Sequence, residues 1–227
     1  MPSLAERLAA VDAQIADAAR AAGREPSAIT RIVVTKFHPA SLVRELHALG
    51  VRDMGENRQQ ELAGKAPELD DLDGLRWHFI GQAQTNKASA IRRLAAVVHS
   101  VDRTRLADAL GRAASPEERL DVLVQVNLTD DPGRGGVLPA ELEELAEHVL
   151  ALPELRLRGV MAVAPLDEEP ARAFARVADH ADRIRRLAPE ADWISMGMTA
   201  DFPEAIAAGA THLRIGSAIT GPRPEAR

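Results

Sequence analysis

Short β-branched or apolar runs alternate with longer stretches of helical periodicity along almost the whole chain. The runs fall at residues 31–36, 51–55, 76–80, 97–101, 121–127, 156–161, 193–195 and 212–215, and they read as strands. Helical patterns occupy the intervals, among them residues 41–49, 85–94, 139–150, 170–187 and 203–208, with Gly50 and Gly209 where a helix C-terminus favours glycine. A further helix precedes the first strand. Ser3 and Glu6 form a capping-box pattern, Leu4, Leu8, Val11 and Ile15 recur on one face, and Gly23 closes it. Eight strands separated by helices is the count of a (β/α)8 barrel. The pattern therefore predicts an α/β chain folded as a single TIM barrel domain over residues 1–227, with an extra N-terminal helix. An open doubly wound sheet is the alternative, weakened because no Gly-x-Gly-x-x-Gly follows the first strand.

Composition narrows the function classes. The apolar fraction of 46% is ordinary for a packed domain, while a net charge of −6 and 3% aromatics give nucleic-acid binding little support. There is no cysteine, so disulfides and thiolate metal sites are excluded; there is no tyrosine, so every mechanism with a tyrosine acid or base is excluded too. The start Met1-Pro2-Ser3-Leu4 runs into charged residues rather than a signal-peptide core, and no run is long and apolar enough for a membrane span. A cytoplasmic protein, free of membrane and nucleic acid, is the expectation.

Only three of the 28 basic residues are lysines: Lys36, Lys65 and Lys87. Lys36 ends the first β-branched run, where chemistry gathers in a barrel. Arginine cannot lose its proton in a protein, whereas a lysine amine can, and a neutral amine attacks carbonyls to form a Schiff base. A snorkelling strand-end lysine is the plain alternative. Other uncommon residues fall at the same predicted rim: Asn57 after strand two, His78 in strand three, and Ser195-Met196-Gly197-Met198-Thr199 and Arg214-Ile215-Gly216-Ser217 after strands seven and eight. Asn57 reads equally as a helix cap, His78 as a satisfied core histidine, and the methionines as packing. The last two loops offer hydroxyls and glycines where barrels commonly bind phosphate. A Schiff-base lysine facing a phosphate cup suggests pyridoxal 5′-phosphate. Arg214 beside the cup could face the pyridine nitrogen and keep it unprotonated, which makes a poor electron sink. The glycine-rich stretch Asp131–Gly136 lacks a P-loop ending and reads as a mobile loop over the mouth.

The segments Val34-Thr35-Lys36, Gly55-Glu56-Asn57 with Gln60-Glu61, Trp77-His78-Phe79-Ile80-Gly81 with Gln84, Asn86 and Lys87, His99-Ser100-Val101-Asp102, Gln125-Val126-Asn127, Ser195-Met196-Gly197-Met198 and Arg214-Ile215-Gly216 occur in this order. Together they resemble the pyridoxal phosphate homeostasis proteins, also called proline synthetase co-transcribed homologues, over nearly the whole chain. The resemblance implies a barrel like the N-terminal domain of alanine racemase. It implies pyridoxal 5′-phosphate as cofactor, held as an aldimine on Lys36, with Ser195, Thr199, Gly216 and Ser217 on its phosphate and Arg214 near its ring nitrogen. Asn57, His78 and Met196 match motifs at the same pocket. The family also implies a non-enzymatic role in vitamin B6 homeostasis and apo-forms of pyridoxal-phosphate enzymes as partners; a barrel with no evident exposed apolar patch is expected to be a monomer. The chain departs from the family at Thr35 and Thr199, where serine is usual, and at Arg58, Ala83 and Thr220. An amino-acid racemase-like enzyme and a cofactor-free aldolase are the competing readings. The first lacks a tyrosine base and the second has no use for the phosphate cup.

Overall fold

The computed structural model describes residues 2–113, 119–131 and 133–223. Eight parallel strands close into a barrel in chain order: β1 (Thr30–Val34), β2 (Asp53–Glu56), β3 (Arg76–Phe79), β4 (Val97–Val101), β5 (Leu120–Gln125), β6 (Leu155–Met161), β7 (Trp193–Ser195) and β8 (His212–Ile215). Strand β8 closes on β1 with Ile32 opposite Arg214 and Val33 opposite Ile215. The residues following β1 and β8 are therefore neighbours at one rim. All eight expected strands form, and the closed order removes the open-sheet alternative.

Helices α2 (Ala40–Ala48), α4 (Ala88–Leu94), α6 (Leu142–Leu150), α7 (Pro170–Leu187) and α8 (Phe202–Ala207) lie where the periodicity predicts, with α4 preceded by a 3-10 turn at Thr85–Lys87. Helices α3 (Gln59–Lys65), α5 (Thr104–Arg112) and the short α9 (Ser217–Thr220) complete the ring; the helices expected above include none of these three. The leading helix α1 (Leu4–Ala21) is capped as expected, Glu6 N donating to Ser3 Oγ and Ser3 N to Glu6 Oε2. Its buried face is Leu8, Val11, Ile15 and Ala19. Arg7 Nε donates to Ile219 O at 2.7 Å, which ties α1 to α9 beside the barrel mouth.

Two differences from the expected boundaries bear on function. Strand β1 stops at Val34 because the chain turns: His38 N donates to Thr35 O at 3.1 Å and Phe37 takes a φ of 69°, unusual for a side-chain-bearing residue. The glycine-rich stretch after β5 is stitched down rather than loose. Val137 bridges Val126, and Asn127 Nδ2 donates to Asp131 O and Arg134 O at 2.9 and 3.1 Å.

Packing divides by strand phase. Outward residues such as Val33, Met54 and Phe79 join the helices in one large apolar core. Inside the barrel a small cluster of Val97, Leu123 and Met161 stands apart, bordered by Val163 and Trp193. The rest of the interior is unusually polar for a barrel normally filled by branched aliphatics. His78, His99, Ser195, His212 and Arg214 are all buried there. Such groups persist only if hydrogen-bonded, and their partners form the floor of the site.

Candidate functional site

Lys36 stands two positions beyond the inward-facing Val34, exposed at the barrel mouth. Its flanking residues are held from β2 and α3. Thr35 Oγ1 donates to Glu56 Oε1 at 2.7 Å, Lys65 Nζ donates to Thr35 O at 2.8 Å, and Phe37 N donates to Glu61 Oε2 at 2.6 Å. Lys65 also pairs with Glu56 at 2.6 Å, with side chains 10% and 0% exposed. Burial raises the Glu56 carboxyl above its ordinary range despite bonds from Lys65 and Thr35, and its second oxygen has no partner. The amine of Lys65 is thus engaged in a buried ion pair, while Lys36 is exposed. Around the Phe37 ring gather Lys36 Nζ, Arg58 and Arg223, at 5.9, 5.3 and 3.9 Å from its centre. The mouth is electropositive on this side.

The turn after β7 is shaped by Gly197, at φ 88°, where a Cβ would stand 2.6 Å from that of Ala205. Met198 N donates to Asp201 Oδ1 at 2.6 Å, and Phe202 N to Met198 O, so Asp201 pins the turn while Thr199 stays exposed. Met196 is fully buried, its N–H on His212 O, and serves packing. Across from it Gly216 leads into α9 with no side chain to cap the helix, and Ser217 is exposed at its first position. The first N–H groups of a helix lack intrahelical partners. Thr199, Gly216 and Ser217 thus form a rim of hydroxyls and amides suited to an anion.

Asn57 and His78 part company. Asn57 lies at the mouth against Gly81, where a Cβ would come within 2.0 Å of Asn57 O, and its Oδ1 is buried without a partner. It borders a cleft of about 480 Å³ over β2 to β4, shared with Arg58, Gln82, Gln84 and Lys87. His78 instead lies deep in the interior, as does Ser195.

A continuous chain of hydrogen bonds joins them. Asp53 Oδ1 meets His78 Nε2, His78 Nδ1 meets His99 Nε2, and His99 Nδ1 meets Ser195 Oγ, each at 2.9 Å. Arg214 Nη1 then donates to Ser195 Oγ at 2.7 Å and its Nη2 to Ala162 O at 2.8 Å. Burial pushes Arg214 down to about 10, so its guanidinium remains charged near neutrality. Burial likewise lowers His78 against the pull of Asp53, and lowers His99 well below its ordinary value, helped by His78, His212 and Arg214. For Asp53 burial acts upward, but His78 and Arg76 outweigh it and hold the carboxyl below its usual range. Among the described residues no group of three or more His, Asp or Glu side chains is arranged to hold a metal ion.

The sequence reading assigned no role to Glu56, Glu61, Lys65, Asp201, Asp53 or His99. One signal was available: lysine scarcity marks Lys65 as much as Lys36. For Glu56, Glu61, Asp53 and His99 the partner is remote in sequence and no local pattern reveals it, whereas Asp201 bonds Met198 N only three residues back.

The closed parallel barrel, with Lys36 exposed after β1, defines a class of fold, and a family model agrees with it: "Alanine racemase, N-terminal domain" matches residues 7–224. The pyridoxal phosphate homeostasis protein of Pseudomonas aeruginosa is 44% identical over 226 residues, covering 98% of this chain and 97% of that one. Its Escherichia coli counterpart is 40% identical, covering 98% of each. PipY of Synechococcus elongatus, solved with PLP bound, superposes with a TM-score of 0.83 at 36% identity over 96% of this chain and 100% of that one. The chain belongs to the pyridoxal phosphate homeostasis protein family. Alanine racemase from Corynebacterium glutamicum, at 17% identity and a TM-score of 0.69, shares the barrel fold; the match covers 96% of this chain but 62% of that one.

Proposed function

We propose that this chain holds pyridoxal 5′-phosphate at the barrel mouth through Lys36 and serves as a carrier in vitamin B6 homeostasis rather than as a catalyst. The observation that carries the reading is the pairing of β1 with β8, which makes Lys36 and the Gly216–Ser217 helix start neighbours at one rim. The residues present fit the ligand. Gly216 leaves the start of α9 without a side-chain cap, Thr199 and Ser217 offer exposed hydroxyls, and Asn57 holds an unpaired acceptor at the mouth. When bound, pyridoxal phosphate supplies an aldehyde that condenses with a primary amine. Lys36 contributes that amine; Thr199, Gly216 and Ser217 take the phosphate. Arg214, a donor-only cation held by Ser195 and Ala162 O, would face the ring nitrogen and disfavour protonation there. Ser195 supports this floor from within, while Met196 packs in the apolar core outside the barrel. Family membership and the PLP-bound relative support the same reading.

One fact favours a carrier over a racemase-like enzyme: the chain has no tyrosine to act as a second base. A guanidinium at the ring nitrogen would weaken the electron sink and so disfavour transamination chemistry. The test mixes the loaded protein with an apo-form of a pyridoxal-phosphate enzyme and follows recovery of that enzyme's activity. Chiral analysis of amino acids incubated with the carrier runs alongside. Recovery without racemisation beyond that of free pyridoxal phosphate is expected. Enzyme-like racemisation refutes the carrier reading.

A further inference from the structure

Three groups buried inside the barrel, His78, His99 and Ser195, link Asp53 at one end to Arg214 at the other. The termini of the chain are chemically opposite. Arg214 can only donate, and an ionised Asp53 can only accept. The carboxylate end sets the direction of everything between. His78 must place its proton on Nε2 to satisfy Asp53, which leaves Nδ1 as acceptor. His99 must then carry its proton on Nε2 and accept at Nδ1. Ser195 must donate to that Nδ1 and is left accepting from Arg214. Both rings are neutral in this arrangement, each with one donor and one acceptor, and no proton is in conflict. Asp53 lies toward the opposite end of the barrel from the mouth, with its side chain 16% exposed and paired to Arg76.

We infer that Asp53, His78, His99 and Ser195 are positioning residues: a one-directional hydrogen-bond relay through the barrel that holds the Arg214 guanidinium in place under the ligand ring. This rests on the proposed reading for the role of Arg214 at the ring, but the relay itself does not need a ligand to be observed. The second Arg214 anchor, Ala162 O, is a backbone atom, so Ser195 is the side chain on which the guanidinium's orientation depends. Without the carboxylate, the histidine pair can run in either direction, because Ser195 can accept from both neighbours.

Long-range proton–nitrogen NMR of the ligand-free full chain, with rings assigned by His78→Asn and His99→Asn, tests the direction. Both rings are expected neutral and protonated on Nε2. In Asp53→Ala, His99, two hydrogen bonds away, is expected to show a mixed population with protonated Nδ1. A merely structural role for Asp53 would not move that signature. Protonated Nδ1 on either ring in the unaltered chain, or an unchanged His99 in Asp53→Ala, overturns the relay. The link to Arg214 is read in binding. Ser195→Ala is expected to weaken pyridoxal phosphate about tenfold, as for one lost charge-assisted hydrogen bond, and Ser195→Thr to restore most of it. Non-phosphorylated pyridoxal should lose the same factor. A loss confined to the phosphorylated form would mean that Ser195 acts on the phosphate, and would overturn the link. Failure of the tautomer result leaves Lys36 attachment untouched, so the two ideas fall separately.

Discussion

Acidification from pH 7 to pH 5 is expected to remove about 2 kcal/mol of folding stability, drawn from the histidines inside the barrel. His212 carries the clearest magnitude. It is 4% exposed, stacks on Trp193 with ring centres 4.2 Å apart, and burial followed by His78 pushes it down to about 3. In the unfolded chain the same imidazole titrates near 6.5. Between these values the unfolded state binds a proton that the folded state refuses. Stability is therefore complete above about pH 6.5 and is lost as pH falls toward 3. One proton of difference is worth about 1.4 kcal/mol per pH unit, and integrating from pH 7 to 5 gives about 2 kcal/mol for His212 alone. His78 and His99 are lowered in the same sense, which adds to the loss. Glu56 works the other way, because burial raises its carboxyl and protonation relieves it. Urea titrations followed by far-ultraviolet circular dichroism at pH 7, 6 and 5 measure the slope, and His212→Gln should flatten it by about one proton. A profile that is flat or rises toward pH 5 would refute the neutral-histidine interior.

Three further outcomes follow from the geometry. Lys65→Met strands Glu56 in the core and is expected to cost about 3–5 kcal/mol in chemical denaturation, as for one partner removed from a buried pair; a cost under about 1 kcal/mol would contradict that pairing. Gly81→Ala drives a methyl to 2.0 Å from Asn57 O and should lower stability by more than about 2 kcal/mol while displacing Asn57, read by thermal melting and by ligand titration. Thr199→Ala should leave the melt unchanged and weaken pyridoxal phosphate by about 1–2 kcal/mol, or roughly 5–30-fold in Kd; unaltered binding removes Thr199 from the phosphate site.

The strands were legible because β-branched runs and intervening amphipathic patterns are local signals. The α1 cap was legible for the same reason, Ser3 and Glu6 being three residues apart. Helix α3 is short and holds Gly64, so its periodicity is weak; α5 is as long as α2 and strongly amphipathic, so its signal was present in the sequence. Lys36 stood out by composition at a strand end. Ser195 shows what a motif alone cannot tell. In the string Ser195-Met196-Gly197-Met198-Thr199 its hydroxyl looks equivalent to that of Thr199, yet strand phase turns it into the core, onto His99 and Arg214. Lys65 shows the same limit. Its scarcity alone does not tell a cofactor amine from a structural one, and packing buries it against Glu56. Both distinctions depend on which remote strand or helix stands opposite, a fact set by barrel closure rather than by neighbouring residues.

The central claim is that Lys36 is the amine that holds pyridoxal phosphate. The most direct measurement adds the cofactor to the full chain, records the visible absorbance of a lysine-bound pyridoxal, reduces with borohydride and maps the adduct by peptide mass spectrometry. The account predicts the band, the adduct on Lys36, and loss of both in Lys36→Ala. No band, or an adduct distributed over Lys65 and Lys87, would contradict it.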